Sequence, residues 1–350
     1  MKILFAITEA EPFIKTGGLG IVGGSLPFAL QEQGVEIRVI MPKHQGINPQ
    51  LLEKAQVRAT FTVPLAWRRQ ECTLLELIYN NIHYYFLDNP YYFARSQCYG
   101  DDDEGEQYAF FSRGVLESIP YMGEFKPDIL HCHDWHTALI PVFWRAFYGQ
   151  DLFYHNLKTL FTIHNLKYQG IFPADVLEDV LGLSWDYFTP EKLEFRGNIN
   201  YMKGGILYSD LVSTVSPTYA EEIQYSYFGE GLDGVIRKRK DSLVGILNGI
   251  PPREKAFKLE DKVKGKRELQ QKLGLKVNKN IPVLCIISRL VEQKGLDLLL
   301  HVIDEIMTKN IQLVIMGTGE KVYEDKLWNY SRQYEREMKV LLTYEEELAH

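Results

Sequence analysis

Cysteine is scarce: Cys72, Cys98, Cys132 and Cys285 are the only four in 350 residues, and no two are spaced as metal ligands. This excludes a disulfide-built scaffold and points to reduced, mostly structural thiols. An excess of positive charge is also missing. There are 39 Lys and Arg against 46 Asp and Glu, a formal net charge of -7. The basic face of a general nucleic-acid binder is absent, so no nucleic-acid partner is expected. No apolar run is long enough to span a membrane, so no membrane partner is expected either. The apolar segment that opens at Met1 leaves no room for a signal or transit peptide, and the reading is a cytoplasmic protein. Internal repeats and low-complexity tracts are absent as well.

What is present is ordinary globular material: 45% hydrophobic and 24% charged residues, with length for about two domains. The aromatic load is high, with 21 Tyr and 18 Phe. Aromatic rings can pack on sugar faces, but most of these are expected in the core.

The chain is organised around its first turn, Lys15-Thr16-Gly17-Gly18-Leu19-Gly20, with Gly23-Gly24 close behind. The apolar run 1–7 before it reads as a buried parallel strand. After it, Val22, Leu26, Phe28 and Leu30 can share one helix face. Paired glycines permit positive φ and close approach of a ligand. Free N–H groups at a helix start attract an anion, and Lys15 adds an ammonium beside them. The loop is therefore either a site for a phosphate or other polar ligand, or a tight turn with a solvated lysine. It lacks the Gly-Lys-Ser/Thr of a Walker loop and the Gly-x-Gly-x-x-Gly of a dinucleotide fingerprint.

Strands are expected at 36–41, 57–63, 71–78, 81–87, 128–132, 159–163, 211–215 and 243–247, with a helix over 106–119. Another helix follows residue 136, with Leu139, Val142, Phe143 and Phe147 on its apolar face. The acidic patch 101–104 reads as a solvated loop and helix start. Strands alternating with helices argue for a doubly wound parallel α/β sheet, in which ligands bind beyond the carboxyl ends of the strands. Lys15, Asp134, His164 and Asn248 all fall at such ends. Pro251-Pro252 and the charged run after them read as a linker, followed by a charged helix over 261–273. A second sheet follows, with strands at 282–287, 312–316 and 338–342. The expected domains are 1–250 and 251–350.

Three clusters carry chemistry. His131-Cys132-His133-Asp134-Trp135-His136 invites a metal, but its first three residues continue a strand, so their side chains alternate between faces. Asp134 is the better site residue, with the histidines packing and hydrogen-bonding around it. His164-Asn165, followed by Gln169-Gly170, is a second strand-end cluster. Its histidine either donates to a sugar hydroxyl or ties down its own loop. Arg289 and Lys294, five residues apart in a loop entering a helix, either clamp a diphosphate or are two solvated loop charges. Gly317-Thr318-Gly319 after the next strand allows another close backbone approach.

Taken in order, Lys-Thr-Gly-Gly-Leu (15–19), His-Asp-Trp-His (133–136) and Ile-His-Asn-Leu-x-Tyr-Gln-Gly (163–170) form a pattern. It continues through Val-Ser-Pro-Thr-Tyr-Ala-Glu-Glu-Ile (215–223), Gly-Leu-Asp-Gly-Val (231–235), Leu-Asn-Gly-Ile (247–250) and Ser-Arg-Leu-Val-Glu-Gln-Lys-Gly (288–295). The chain resembles the bacterial glycogen synthases and plant starch synthases of glycosyltransferase family five. The resemblance runs from Met1 to the last residues.

It implies a GT-B fold, two Rossmann-like domains facing a cleft, with a glucan/acceptor domain first and a nucleotide-sugar domain second. It implies retaining transfer of glucose from ADP-glucose to the non-reducing end of an α-1,4-glucan, without metal or other cofactor. Carried over by motif, Lys15, Gly17 and Gly18 approach the donor. Asp134 and His164 line the glucose site, and Asn248 lies near the donor at the domain junction. Arg289 and Lys294 hold the diphosphate and stabilise the leaving ADP. Ile21 and Pro251 stand where the family usually has aspartates. The family's later Glu-containing motif, glycine loop and closing helix do not follow. The second domain is therefore expected to be incomplete, with an unpaired sheet edge. Two other readings remain: a non-catalytic α-glucan-binding remnant, and a different GT-B nucleotide-sugar transferase.

Overall fold

The computed structural model describes residues 1–250 and 258–349. Pro251 and Pro252, read above as the start of a linker, lie outside the described residues. The chain divides into two compact units, Met1–Pro251 and Pro252–His350.

The first unit is built on a nine-stranded sheet. In chain order its strands are β1 (Lys2–Ala6), β2 (Glu36–Pro42), β3 (Gln56–Leu65), β4 (Arg68–Tyr79), β5 (Ile82–Asp88), β6 (Ile129–His133) and β7 (Lys158–Ile163). A small separate sheet contributes β8 (Ile171–Pro173), β9 (Glu194–Phe195) and β10 (Asn198–Asn200). The large sheet then resumes with β11 (Leu211–Thr214) and β12 (Leu243–Gly245). The spatial order is β12-β11-β7-β6-β1-β2-β5-β4-β3. From β12 to β5 all neighbours are parallel, and β4 and β3 extend the sheet as an antiparallel hairpin.

β1 is Ile3-Leu4-Phe5-Ala6 buried on both faces, the expected condition of a central parallel strand. The β3–β4 hairpin alternates instead, with Phe61, Val63 and Leu65 inward. The chain leaves β1 through helix α1 (Gly18–Glu32) to β2 on one side, and later enters β6 on the other. The order reverses between β1 and β6, and such a switch point opens a crevice at the carboxyl ends.

The helix Glu104–Ser118 packs its aromatic face into the larger core, so Tyr108, Phe110 and Phe111 are fully buried. The acidic patch before it is held by Arg95, which pairs with both Asp101 and Asp103. The helix after residue 136 departs from expectation. It is α-helical only over Leu139–Phe143 and then widens to a π-helix over Trp144–Tyr148. The wider turn breaks the 3.6-residue spacing. Phe147 leaves the core face and is 42% exposed, stacked 4.2 Å from the Arg113 guanidinium.

The second unit holds a parallel sheet of β13 (Val283–Ile287), β14 (Gln312–Met316) and β15 (Met338–Leu341), in that order. Helices Leu296–Met307 and Lys321–Gln333 close a core of Leu290, Leu296, Ile303, Leu313, Ile315 and Leu327. Among the described residues β13 pairs only with β14, and its Leu284 and Ile287 are nearly half exposed.

Beyond β13 and β14 the two loops stay zipped together. Ser288 N donates to Met316 O (3.2 Å), Leu290 N to Thr318 O (2.8 Å) and Glu320 N to Leu290 O (2.9 Å). Gly317, at φ +152°, lies against Ser288 so closely that a Cβ would collide with the Ser288 carbonyl. The close approach made by the 317–319 glycines is therefore to the neighbouring loop. Gly317→Ala combines a disallowed φ with that collision and is expected to cost at least about 2 kcal/mol of stability. An unchanged denaturant midpoint for the variant would contradict the packing described.

Candidate active site at the carboxyl ends of the large sheet

β1, β6 and β7 are consecutive in the sheet, and their carboxyl ends deliver Glu9 with Lys15, Asp134 and His164. Glu9 is the residue that sequence reasoning missed. It is only 3% exposed, and a buried carboxylate must be hydrogen-bonded. Its Oε2 accepts from Thr16 N (2.5 Å) and Gly17 N (3.3 Å), while Thr16 Oγ1 donates to both oxygens at 3.0 Å. Tyr99 OH donates to Oε1 (3.0 Å) and also contacts Thr8 Oγ1 at 2.8 Å.

The anion at the mouth of α1 is thus supplied by the chain itself, and the amides of Thr16 and Gly17 are not free as expected. The cause is local. Residues 7–15 fold back under the helix, where Glu11 N donates to Gly20 O (2.9 Å). A carboxyl group two residues past Ile7 at a strand end was a signal available in the sequence.

Lys15 is partly buried, and its ammonium sits 2.6 Å from Glu11 Oε1. The two glycine pairs have different reasons. Gly17 is extended (φ -166°) and Gly18 begins α1; neither takes the positive φ suggested by its sequence. A Cβ on either would meet nothing within 4 Å, so internal packing does not require glycine there. Gly23 is different, since a Cβ would collide with the carbonyl of Glu9. Ile21 lies 46% exposed on the first turn of α1.

Asp134 follows β6 with φ +54°, a left-handed conformation that strains a non-glycine residue by about 1–3 kcal/mol. Several bonds hold it there. Its N donates to Thr162 O (3.0 Å), and its Oδ1 accepts from His164 N (2.8 Å) and Asn165 N (3.3 Å). Burial pushes the Asp134 carboxyl up to about 7; the amides of His164 and Asn165 oppose that rise and the charge of Glu9 adds to it.

Around Asp134 stand the histidines. His131 Nε2 lies 2.7 Å from Thr162 Oγ1, and His133 Nδ1 lies 2.9 Å from His164 Nε2. His136 packs between Tyr99 and Tyr108. Burial lowers His44 and His164 to about 4 and His131 to about 3, and holds His133 and His136 well below their ordinary 6.5. Gln169 ties down the loop after β7: its Oε1 accepts from Asn200 Nδ2 (2.6 Å) and its Nε2 donates to Glu230 O (3.1 Å).

Asn248 is exposed in the segment after β12, two strands beyond β7. Arg289 and Lys294 are exposed in the second unit, between β13 and the helix Leu296–Met307; Lys294 ends a 3-10 turn capped by Gly295 at φ +69°. Among the described residues, no group of three or more His, Cys, Asp or Glu is arranged to hold a metal ion.

Residues 2–238 match the starch synthase catalytic domain family, and residues 266–349 match glycosyl transferases group 1. The chain belongs to the glycogen and starch synthase family. It is 63% identical over 350 residues to the glycogen synthase of Desulfitobacterium hafniense, covering 100% of this chain and 75% of that protein. It is 47% identical to the glycogen synthase of Alkaliphilus metalliredigens, covering 100% of this chain and 76% of the relative. Among solved structures it matches the catalytic domain of starch synthase IV from Arabidopsis thaliana bound to ADP and acarbose. That match has a TM-score of 0.91 and 28% identity, over 100% of this chain and 75% of that one. The fold class is GT-B, and the synthase family chain spans about three quarters of these relatives' length.

The site sets two expectations. Gly23→Ala should destabilise the fold by about 2 kcal/mol or more, while Gly17→Ala should change stability little. Equal midpoints in urea would contradict the distinction. The second concerns acid. Each buried histidine has a folded pKa below its ordinary value, so its stabilisation is present above 6.5 and is lost as pH falls toward about 4. Asp134, raised to about 7, runs the other way and gains as pH falls. Five histidines outweigh one carboxyl, so the urea midpoint should drop between about pH 7 and pH 4.5. A flat or rising midpoint would mean that the imidazoles are not buried neutral.

Proposed function

We propose that this synthase family member transfers glucose, with retention and without a metal or other cofactor, from ADP-glucose to the non-reducing end of an α-1,4-glucan such as glycogen. The observation that carries the reading is the cluster of Glu9, Lys15, Asp134 and His164 at the switch point of the large sheet, in a chain 63% identical to a glycogen synthase. The ADP and acarbose named for the Arabidopsis structure support a nucleotide donor and a glucan-like acceptor.

In this reading residues 1–250 form the glucan/acceptor domain and residues 251–350 contribute to the nucleotide-sugar domain. The open space beside Gly17 and Gly18 admits the donor. Lys15, shared with Glu11, reaches its phosphates, and Asn248 lies near the donor. Asp134 and His164 contact the glucose. Arg289 and Lys294 hold the diphosphate. Breaking the glycosyl–phosphate bond builds negative charge on the diphosphate, and fixed cations lower that barrier. Asp134, His164, Arg289 and Lys294 are the catalytic residues. Three buried free thiols, Cys72, Cys98 and Cys132, support a reducing, cytoplasmic location, and no helix among the described residues is long and apolar enough to cross a membrane.

The test is incorporation of labelled glucose from ADP-glucose into glycogen. Lys15→Ala should remove charge-assisted contacts of about 1.5–3 kcal/mol, a loss of roughly ten- to a hundredfold in kcat/KM. A near-normal rate in that variant would remove the opening loop from the site. Glycogen binding without incorporation by the parent chain would favour the binding-only reading.

A further inference from the structure

β6 alternates, so His131 and His133 share a face of the sheet beside Phe5 of β1. The His133 ring lies 4.1 Å from both Phe5 and His131, measured between centroids, and is completely buried. Among the described residues its ring makes one polar contact, between Nδ1 and His164 Nε2 at 2.9 Å. Its own Nε2 is buried and has no partner among the described residues.

Two neutral imidazoles sharing one N···N hydrogen bond must divide a single proton between them. If His164 donated from Nε2, His133 would carry its proton on Nε2, as an orphaned N–H in the interior. If His133 donates from Nδ1, the orphan is a bare lone pair. Orphaned buried N–H groups are the rarer defect. The second arrangement is therefore favoured, and it leaves His164 with its proton on Nδ1.

We propose that His133 is a positioning residue: by donating from Nδ1 it fixes His164 as the Nδ1–H tautomer, so that His164 offers a hydrogen-bond donor to a sugar hydroxyl. The inference rests on the reading that His164 contacts the glucose. Consecutive residues then hold His164 at two points, His133 at the ring and Asp134 at the backbone amide. An exposed histidine in water favours the opposite tautomer, with the proton on Nε2. Without His133 the donor would be aimed wrongly, or present only part of the time.

The experiment is long-range 1H–15N correlation spectroscopy on the full chain labelled with 15N-histidine, with His164 assigned by its loss in H164Q. The expected wild-type spectrum has a protonated Nδ1 and a bare Nε2 at His164. H133L should move the proton to Nε2 or give a mixture. It should also lower kcat for glucose incorporation on the order of tenfold, with KM for ADP-glucose nearly unchanged. H133N keeps an N–H close to the place of Nδ1 and should restore both the tautomer and most of the rate. A wild-type His164 protonated on Nε2 overturns the proposal, as does equal behaviour of H133L and H133N. If H133L fails to fold, the wild-type spectrum and H133N decide. Full activity in H164A would instead overturn the sugar-contact reading and leave the tautomer assignment standing.

Discussion

Two carboxyl groups, Glu9 and Asp134, are buried at neighbouring strand ends close enough to feel each other's charge, and everything around the crevice is arranged to make that tolerable. Glu9 takes the amides at the mouth of α1 and the hydroxyls of Thr16 and Tyr99. Asp134 takes the amides that begin the loop after β7. Each carboxyl group therefore fixes a loop as well as a charge. The loops after β1 and β7 are held by acids from the chain's own interior, and the strained backbone at Asp134 is held in turn by the bonds it makes.

Much of the fold was legible from pattern alone. Continuous apolar runs such as 3–6 and alternating ones such as 57–63 fall within β1 and β3, because burial on two faces or on one writes a different period into the sequence. The exception at Phe147 shows what periodicity cannot carry. One widened turn shifts the register of every later side chain, and no residue in the segment announces it.

The site was legible in part. Asp134 and His164 stand out as polar residues closing apolar strands. Glu9 is equally polar, but it stands three residues past the end of β1, and the glycines that follow it are the more conspicuous signal. The contrast between Gly17 and Gly23 was also invisible, since one glycine borders open space and the other borders the Glu9 carbonyl. Such a difference belongs to tertiary packing and leaves no local trace. The motifs shared with the synthase family compensate for this, because a family pattern stores packing that a single chain does not spell out.

The zipped loops past β13 and β14 bear on how a charge is presented. Arg289 is flanked by Ser288 and Leu290, whose amides both donate to the adjoining strand-end segment. Its backbone is thus an extension of the sheet, though it lies beyond the strand proper. An anion arriving at this guanidinium would have only a side chain to order, and the main chain beneath it would lose almost no freedom. The entropy that a flexible loop surrenders on binding has been surrendered here during folding.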